Sequence, residues 1–282
     1  MLEKRLEIEM LKQTNFISNS FKFITIIMLI TWLIMPLIPL VFLSFSKGWV
    51  FPLLIPKYWS LNAWNYALSD TAGILESLWL TIFISLSVTI LSIFIGVPAG
   101  RALGIYKFKG KVFVELLILA PIIIPSIAVV LGIHSVFISI GLTNTIFGVI
   151  LVHLIPTVPY MTLVMSAIFS NFDADFEYQA RSLGASSLKA FYYITLPAIL
   201  PGVVIGGLFA FLVSWSQYIL TLVIGGGKIL TLPLLLFSFA TSGRNDITGA
   251  IGIIYILPGI IILIFTTKYL SRRNVIGVFE RI

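Results

Sequence analysis

The chain has 282 residues, of which 59% are hydrophobic and 10% charged, whereas a soluble domain is about half apolar and about a quarter charged. That balance excludes an ordinary soluble globular protein and predicts an integral membrane protein lying in a lipid bilayer. The absence of cysteine excludes disulfides and thiolate metal sites, and the formal charge of +7 reads as the basic excess of membrane-protein loops, so no nucleic acid is expected as a partner.

In chain order, residues 1–22 are polar with mixed charge and predict a cytoplasmic N-terminal tail. The first transmembrane helix is expected over 23–46. Its apolar run exceeds the roughly 7–15 residues of a signal peptide, so it is read as an uncleaved span. Residues 47–75 form a loop rich in aromatics, among them Trp49, Phe51, Tyr58, Trp59, Trp64 and Tyr66. Aromatics collect at membrane–water interfaces; the same rings could also receive a soluble binding protein. A second span is expected over 77–100, followed by a short basic loop with Arg101, Lys107, Lys109 and Lys111. The third covers 112–137 with Pro121 and Pro125 inside it, the fourth 145–169, the fifth 198–224 and the sixth 247–267. Residues 229–239 are apolar but too short to cross, which suits a segment that dips into the bilayer or lines a cavity. Residues 271–282 form a basic cytoplasmic tail.

Six spans put both ends on one side. If that side is the cytoplasm, only Lys47, Lys57, Lys228 and Arg244 of the 18 basic residues lie outside. The positive-inside rule therefore selects this orientation. It also places the segment between the fourth and fifth spans in the cytoplasm.

That segment is mixed polar and apolar from Asp173 to Leu196, with no proline in between, which predicts one helix outside the hydrocarbon. Asp173, Asp175 and Glu177 sit near its start, where negative charge suits the helix dipole. Phe176, Ala180, Leu183, Leu188 and Phe191 fall roughly along one side, a stripe that must be buried against a membrane surface or a partner protein.

Ala180, Gly184, Ile194, Leu196 and Pro197 stand at the spacing of the cytoplasmic loop signature of ATP-binding-cassette (ABC) importer permeases: EAA, three residues, Gly, nine residues, I-x-L-P. The run Ala180-Arg181-Ser182-Leu183-Gly184-Ala185-Ser186 resembles the commonest form of that loop. Tyr178 and Gln179 replace the motif's Glu and first Ala, and Glu177 lies one residue early. Ser214-Trp215-Ser216-Gln217-Tyr218-Ile219-Leu220-Thr221 with Thr231-Leu232-Pro233 is similar to the branch that includes spermidine/putrescine, ferric iron, thiamine and phosphonate importers. The resemblance covers about residues 75–270, with a coupling loop at 171–197. It implies an all-α membrane protein of the type I ABC importer fold, with six transmembrane helices and both termini cytoplasmic, in a bacterial inner membrane. The implied partners are two ABC ATPase subunits, a second permease chain (a homologue or a second copy) and an extracytoplasmic substrate-binding protein. The chain itself is implied to be a non-catalytic subunit that binds no cofactor, ATP and Mg residing on the ATPase. Phe176, Glu177, Tyr178, Ala180, Arg181, Gly184, Ala185, Ser187 and Leu188 are the implied ATPase-coupling residues.

The remaining chemistry is sparse. Gly225-Gly226-Gly227-Lys228 lacks both the earlier Gly and the following Ser or Thr of a phosphate loop, and reads as a turn. Mid-membrane carboxylates or His pairs, which ion-coupled transporters use for relay, are scarce in the spans, which argues against proton coupling; an ion-coupled secondary transporter and a structural membrane subunit stand as the alternative readings. His134 and His153 could be a metal pair, but with no carboxylate or cysteine suitably spaced they read as partners in helix-to-helix hydrogen bonds. Ser214, Gln217, Tyr218 and Thr221 fall on one face of the fifth span at helical spacing. Such a face bonds to neighbouring helices or, as the resemblance implies, lines a translocation path. Ser216 and Gln217 are neutral where many polyamine members carry acids.

Overall fold

The structure, a computed structural model, describes residues 22–49 and 52–272. The predicted N-terminal tail up to residue 21, Phe51 of the aromatic loop and the basic tail from residue 273 lie outside the described residues. Among the described residues the chain is helical, with a single isolated antiparallel bridge between Ser46 and Trp59.

Helix α1 (Lys22–Phe45) turns at Met35–Pro36. The short α2 (Asn62–Ala67) precedes the long α3 (Ile74–Ile105). Then come α4 (Lys111–Ile123) and α5 (Ser126–Ser139), bent 100° from each other, and α6 (Ile146–Ser170). A polar loop holds α7 (Asp175–Ser182) and leads into α8 (Ser187–Trp215). The chain ends with α9 (Ile219–Gly225), α10 (Leu232–Thr241) and α11 (Asn245–Arg272). Five helices are long and apolar enough to cross a bilayer, and the bent α4–α5 pair makes six.

The seam between α3 and α6 is the tightest in the bundle. A Cβ added at Gly96, Gly100 or Gly104 would lie 2.6, 2.4 or 2.5 Å from the side chains of Met161, Met165 or Phe169. Small residues every fourth position let two helices approach until dispersion between their surfaces holds them, the association that lipid permits. One turn further along, the Ser92 and Thr157 hydroxyls meet at 2.9 Å, at the same offset of 65 residues. A constant offset means that α3 and α6 run parallel. The chain must therefore return across the layer between them, and α4–α5 is the segment that does so. Helix α8 packs antiparallel on α6, with Gly202 against Ile168 and Gly206 against Met161. The second half of α1 lies on α11, where Gly249 and Gly252 meet Leu40, Leu43 and Ser44.

Three predicted helices are interrupted. The third span is two helices because Pro125 lacks an N–H and forces Ile124 into an extended conformation (φ −76°, ψ 133°). The fifth span stops at Trp215 and resumes at Ile219, with no proline or glycine at the break. The polar loop is also not one helix: it breaks after Ser182. By contrast Pro98, Pro156, Pro159, Pro201 and Pro258 lie inside helices that continue past them.

A side chain at Gly100 must displace both Met165 and the α6 backbone, which a Cβ would approach at 2.9 Å. Gly100→Leu is therefore expected to cost at least the roughly 1–3 kcal/mol of an overpacked core. Gly132→Ala on α5, where a Cβ meets nothing within 4 Å, is expected to be neutral or stabilising by up to ~1 kcal/mol. Reversible unfolding in detergent micelles compares the two.

Candidate functional site

The polar loop is shaped by local signals. Asp173 accepts from the amide of Asp175 through Oδ1 at 2.9 Å and opens α7. Asp175 and Glu177 occupy the first turn and Arg181 the last, the arrangement that suits the helix dipole. Gly184 then takes φ +90°. Its N–H donates to the Arg181 carbonyl at 3.0 Å, and the Ala185 N–H donates to the Ala180 carbonyl at 3.0 Å. This paired closure with a left-handed glycine ends the helix. Ser186 caps the next one through its hydroxyl, which accepts from the Lys189 amide. A five-residue π turn over Phe191–Thr195 carries the chain into the apolar part of α8.

The outer surface of this helix–turn–helix is oily. Leu183 is 89% exposed and Leu188 82%, with Phe176 and Tyr178 more than half exposed beside them. A shallow, open depression between them is lined by Tyr178, Arg181, Ser182, Gly184, Ala185, Ser186 and Ser187.

Glu177 is the exception, for it turns inward. Arg101 Nη2, near the end of α3, donates to Glu177 Oε2 at 2.6 Å. The Thr195 hydroxyl donates to the other oxygen, Oε1. The two charged side chains are 29% and 15% exposed. Burial pushes the Glu177 carboxyl up, but the hydrogen bonds from Arg101 and Thr195 and the charges of Arg101 and Arg181 outweigh it and hold the group below the usual carboxylate value. Arg101 also lies over the Phe169 ring, 5.8 Å from its centre. At 32 residues, α3 is ~48 Å long against ~30 Å of hydrocarbon, so its last turns can reach beyond the oil to this loop.

A second polar cluster lies deep in the bundle. His153 on α6 is 1% exposed. Its Nδ1 is 3.0 Å from Ser214 Oγ and its Nε2 is 2.9 Å from Thr221 Oγ1. Thr221 donates to the Gln217 carbonyl at 3.1 Å, so its oxygen accepts the Nε2 proton and Nδ1 accepts from Ser214. Ser214 precedes the break in the fifth span and Thr221 follows it. One neutral imidazole thus spans the interruption. Below it, Thr157 donates to the His153 carbonyl at 2.9 Å and meets Ser92.

The sequence-predicted residues therefore separate. Phe176, Tyr178, Arg181, Gly184, Ser187 and Leu188 are exposed on the loop, with Ala180 and Ala185 half-buried in its turn. Because the loop breaks, Phe176, Ala180, Leu183, Leu188 and Phe191 do not form one continuous stripe. Because the fifth span breaks, Ser214, Gln217, Tyr218 and Thr221 do not share a continuous helical face. Ser214 and Thr221 are buried on His153, whereas Gln217 and Tyr218 occupy the break half-buried, Tyr218 against the Phe237 ring at 4.6 Å. Sequence reasoning missed Arg101 and Thr195 as partners of Glu177. The available signal was a lone arginine inside the repeat Gly96, Gly100, Gly104, which carries α3 on to Ile105, beyond the expected end of the second span at residue 100. Among the described residues, no three His, Asp or Glu side chains cluster as metal ligands.

Residues 93–275 match the family model described as "Binding-protein-dependent transport system inner membrane component". The chain is 25% identical over 264 residues to the spermidine/putrescine transport system permease protein PotC of Haemophilus influenzae, covering 92% of this chain and 98% of that one. It is 32% identical over 170 residues to the molybdate/tungstate transport system permease protein WtpB of Pyrococcus furiosus, covering 60% and 66%. It is 30% identical over 202 residues to the trehalose transport system permease protein SugB of Mycobacterium tuberculosis, covering 70% and 72%. In fold it resembles a chain of a bacterial ABC transporter involved in alginate import, with a TM-score of 0.68, 22% identity and coverage of 89% and 96%.

Two outcomes are expected. His153→Leu strands the Ser214 and Thr221 hydroxyls in the core and is expected to destabilise the chain by about 1–3 kcal/mol in micellar unfolding, with Ser214→Ala costing less. Glu177 has a depressed folded pKa, so its contribution is fully present above its ordinary value of 4.5 and is lost as pH falls through the lower folded value. A spin label at Ser187→Cys should gain mobility in that acid window, and Glu177→Gln should remove the transition.

Proposed function

Since the chain belongs to the family of binding-protein-dependent transport system inner membrane components and is a non-catalytic permease subunit of an ABC importer, we propose that it forms half of a solute path and is driven through the 171–197 loop by a separate ATPase. In this reading two such halves, identical or homologous, enclose the path in a bacterial inner membrane. An extracytoplasmic binding protein delivers a small solute to the outer face. The aromatic loop after α1 and the segment around α10 offer contacts there. Two ATPase subunits, which carry ATP and Mg, each take one polar loop.

The observation that supports this reading best is the surface of the loop. Phe176, Tyr178, Leu183 and Leu188 stand exposed on a helix–turn–helix whose other residues are mostly polar. Exposed apolar side chains grouped on a polar element mark a surface that a partner covers. Coupling requires the partner to bind the loop more tightly in one arrangement of the bundle than in another, since equal affinity shifts nothing. The break in the fifth span supports a path at its level: Ser216 is exposed and Gln217 half-buried, both uncharged, so a solute would meet hydrogen-bonding groups there rather than fixed charge. The relatives' named solutes differ widely in charge, from spermidine/putrescine to molybdate/tungstate, which fits a shared frame with solute choice set locally.

Leu183→Glu and Leu188→Glu lie on exposed positions and should change stability by no more than about 0.5 kcal/mol. Each should reduce recovery of the ATPase with the affinity-tagged chain by about tenfold or more, the effect of removing an interface anchor. Recovery at the unsubstituted level with both leucines replaced would contradict docking at this surface.

A further inference from the structure

The Glu177 carboxylate is, among the described residues, the single point at which the polar loop is bound by a charged contact to the membrane bundle. It binds two helices at once. Oε2 takes Arg101 of α3, and Oε1 takes Thr195 at the end of the π turn in α8. These helices differ in what they connect to. Helix α3 is locked to α6 by the glycine seam and the Ser92–Thr157 bond. Helix α8 leads to the break at 216–218, which His153 of α6 spans. Without the carboxylate, α7 would keep only its chain connections at the two ends and its packing on the turn that follows, with no polar contact to α3. Gly184 has open space around it and a conformation that few residues share, so the turn by itself is a weak lever.

We propose that Arg101, Glu177 and Thr195 form a latch that makes the loop, α3 and the start of α8 move as one body, and that this latch, rather than the chain connection, carries force from the docked partner to the break in the fifth span. Glu177 thereby becomes a positioning residue facing the bundle, distinct from the outward residues Phe176, Tyr178, Leu183 and Leu188 that meet the partner. The latch suits this use physically. A hydrogen-bonded ion pair at 2.6 Å, with its carboxylate largely buried, resists displacement better than a looser pair such as Lys111–Glu115, which spans 3.8 Å with no hydrogen bond. The Phe169 ring beneath Arg101 restricts the guanidinium further. The inference rests on the reading that an ATPase docks on the loop.

The test uses the tagged full chain purified with its ATPase and reconstituted in lipid. The chain has no cysteine, so Ser216→Cys at the break is a single reporter whose maleimide labelling rate is compared without nucleotide and with ATP, Mg and vanadate. In the otherwise unsubstituted chain the two states should label at different rates. Glu177→Gln and Arg101→Met should keep ATPase recovery and hydrolysis within about twofold while the nucleotide-dependent labelling difference shrinks about tenfold, the factor expected from losing one charge-assisted contact. Thr195→Val, which spares the ion pair, should give a smaller loss. The exchange Arg101→Glu with Glu177→Arg should restore much of the difference. A full labelling response in Glu177→Gln overturns the latch. Loss of ATPase recovery in Glu177→Gln also overturns it, by moving Glu177 to the docking surface. Absence of any ATPase with the unsubstituted chain overturns the docking reading itself, and the latch with it.

Discussion

Two parallel helices that touch through glycine hold this molecule together. Gly96, Gly100 and Gly104 bring α3 against Met161, Met165 and Phe169 of α6 so closely that no side chain separates the backbones. In water, burial of oil would drive such contact; in a bilayer the lipid is as apolar as the helix, and close approach must supply the attraction. The register that results has consequences along its whole length. It pairs Ser92 with Thr157, sets His153 facing Ser214 and Thr221, and ends with Arg101 over Phe169 and within reach of Glu177.

The polar groups follow from the same constraint. Hydroxyls and ring nitrogens in oil have no water to turn to, which favours partners within the bundle, although the buried Ser85 and Thr162 hydroxyls of α3 and α6 have none. His153 satisfies both nitrogens on one neighbouring segment, and that segment is interrupted between its two partners. The loop outside the oil is under no such demand, and it leaves large apolar side chains uncovered. A bundle with few charges and a loop with an unmatched oily surface are what the proposed role requires, a permease subunit driven through that loop by a separate ATPase.

Much of the architecture was legible in the sequence because hydrocarbon is an exacting solvent. The long apolar runs became the five long helices and the bent pair, and the mixed stretch after the fourth holds the short polar helix α7 before Ser187 opens the next candidate span. Family membership was legible from Ala180, Gly184, Ile194, Leu196 and Pro197, and the family model bears out that membership over residues 93–275. Other features were present but overridden. Gly184 and Ser186 are ordinary stop and start signals, yet amphipathic continuity favoured one helix through them. Pro125 after Ile124 signalled a break, yet the apolar run favoured one span. The gap at 216–218 was not legible at all. It contains no breaker, and it is held by a histidine 61 residues before Ser214 and 68 before Thr221, which no local pattern reports. Arg101 was read as loop charge because its partner, 76 residues away, is likewise non-local.

The central claim is that the loop between α6 and α8 faces the cytoplasm with its apolar surface open to a partner. Because the chain has no cysteine, Leu188→Cys places one reactive group on that surface, and a membrane-impermeant maleimide applied to intact cells and then to permeabilised ones reads its side directly. The expected result is no labelling until the membrane is opened, and slower labelling where the ATPase is overproduced than where it is deleted. Labelling of intact cells at the permeabilised rate would put the loop outside and contradict the claim.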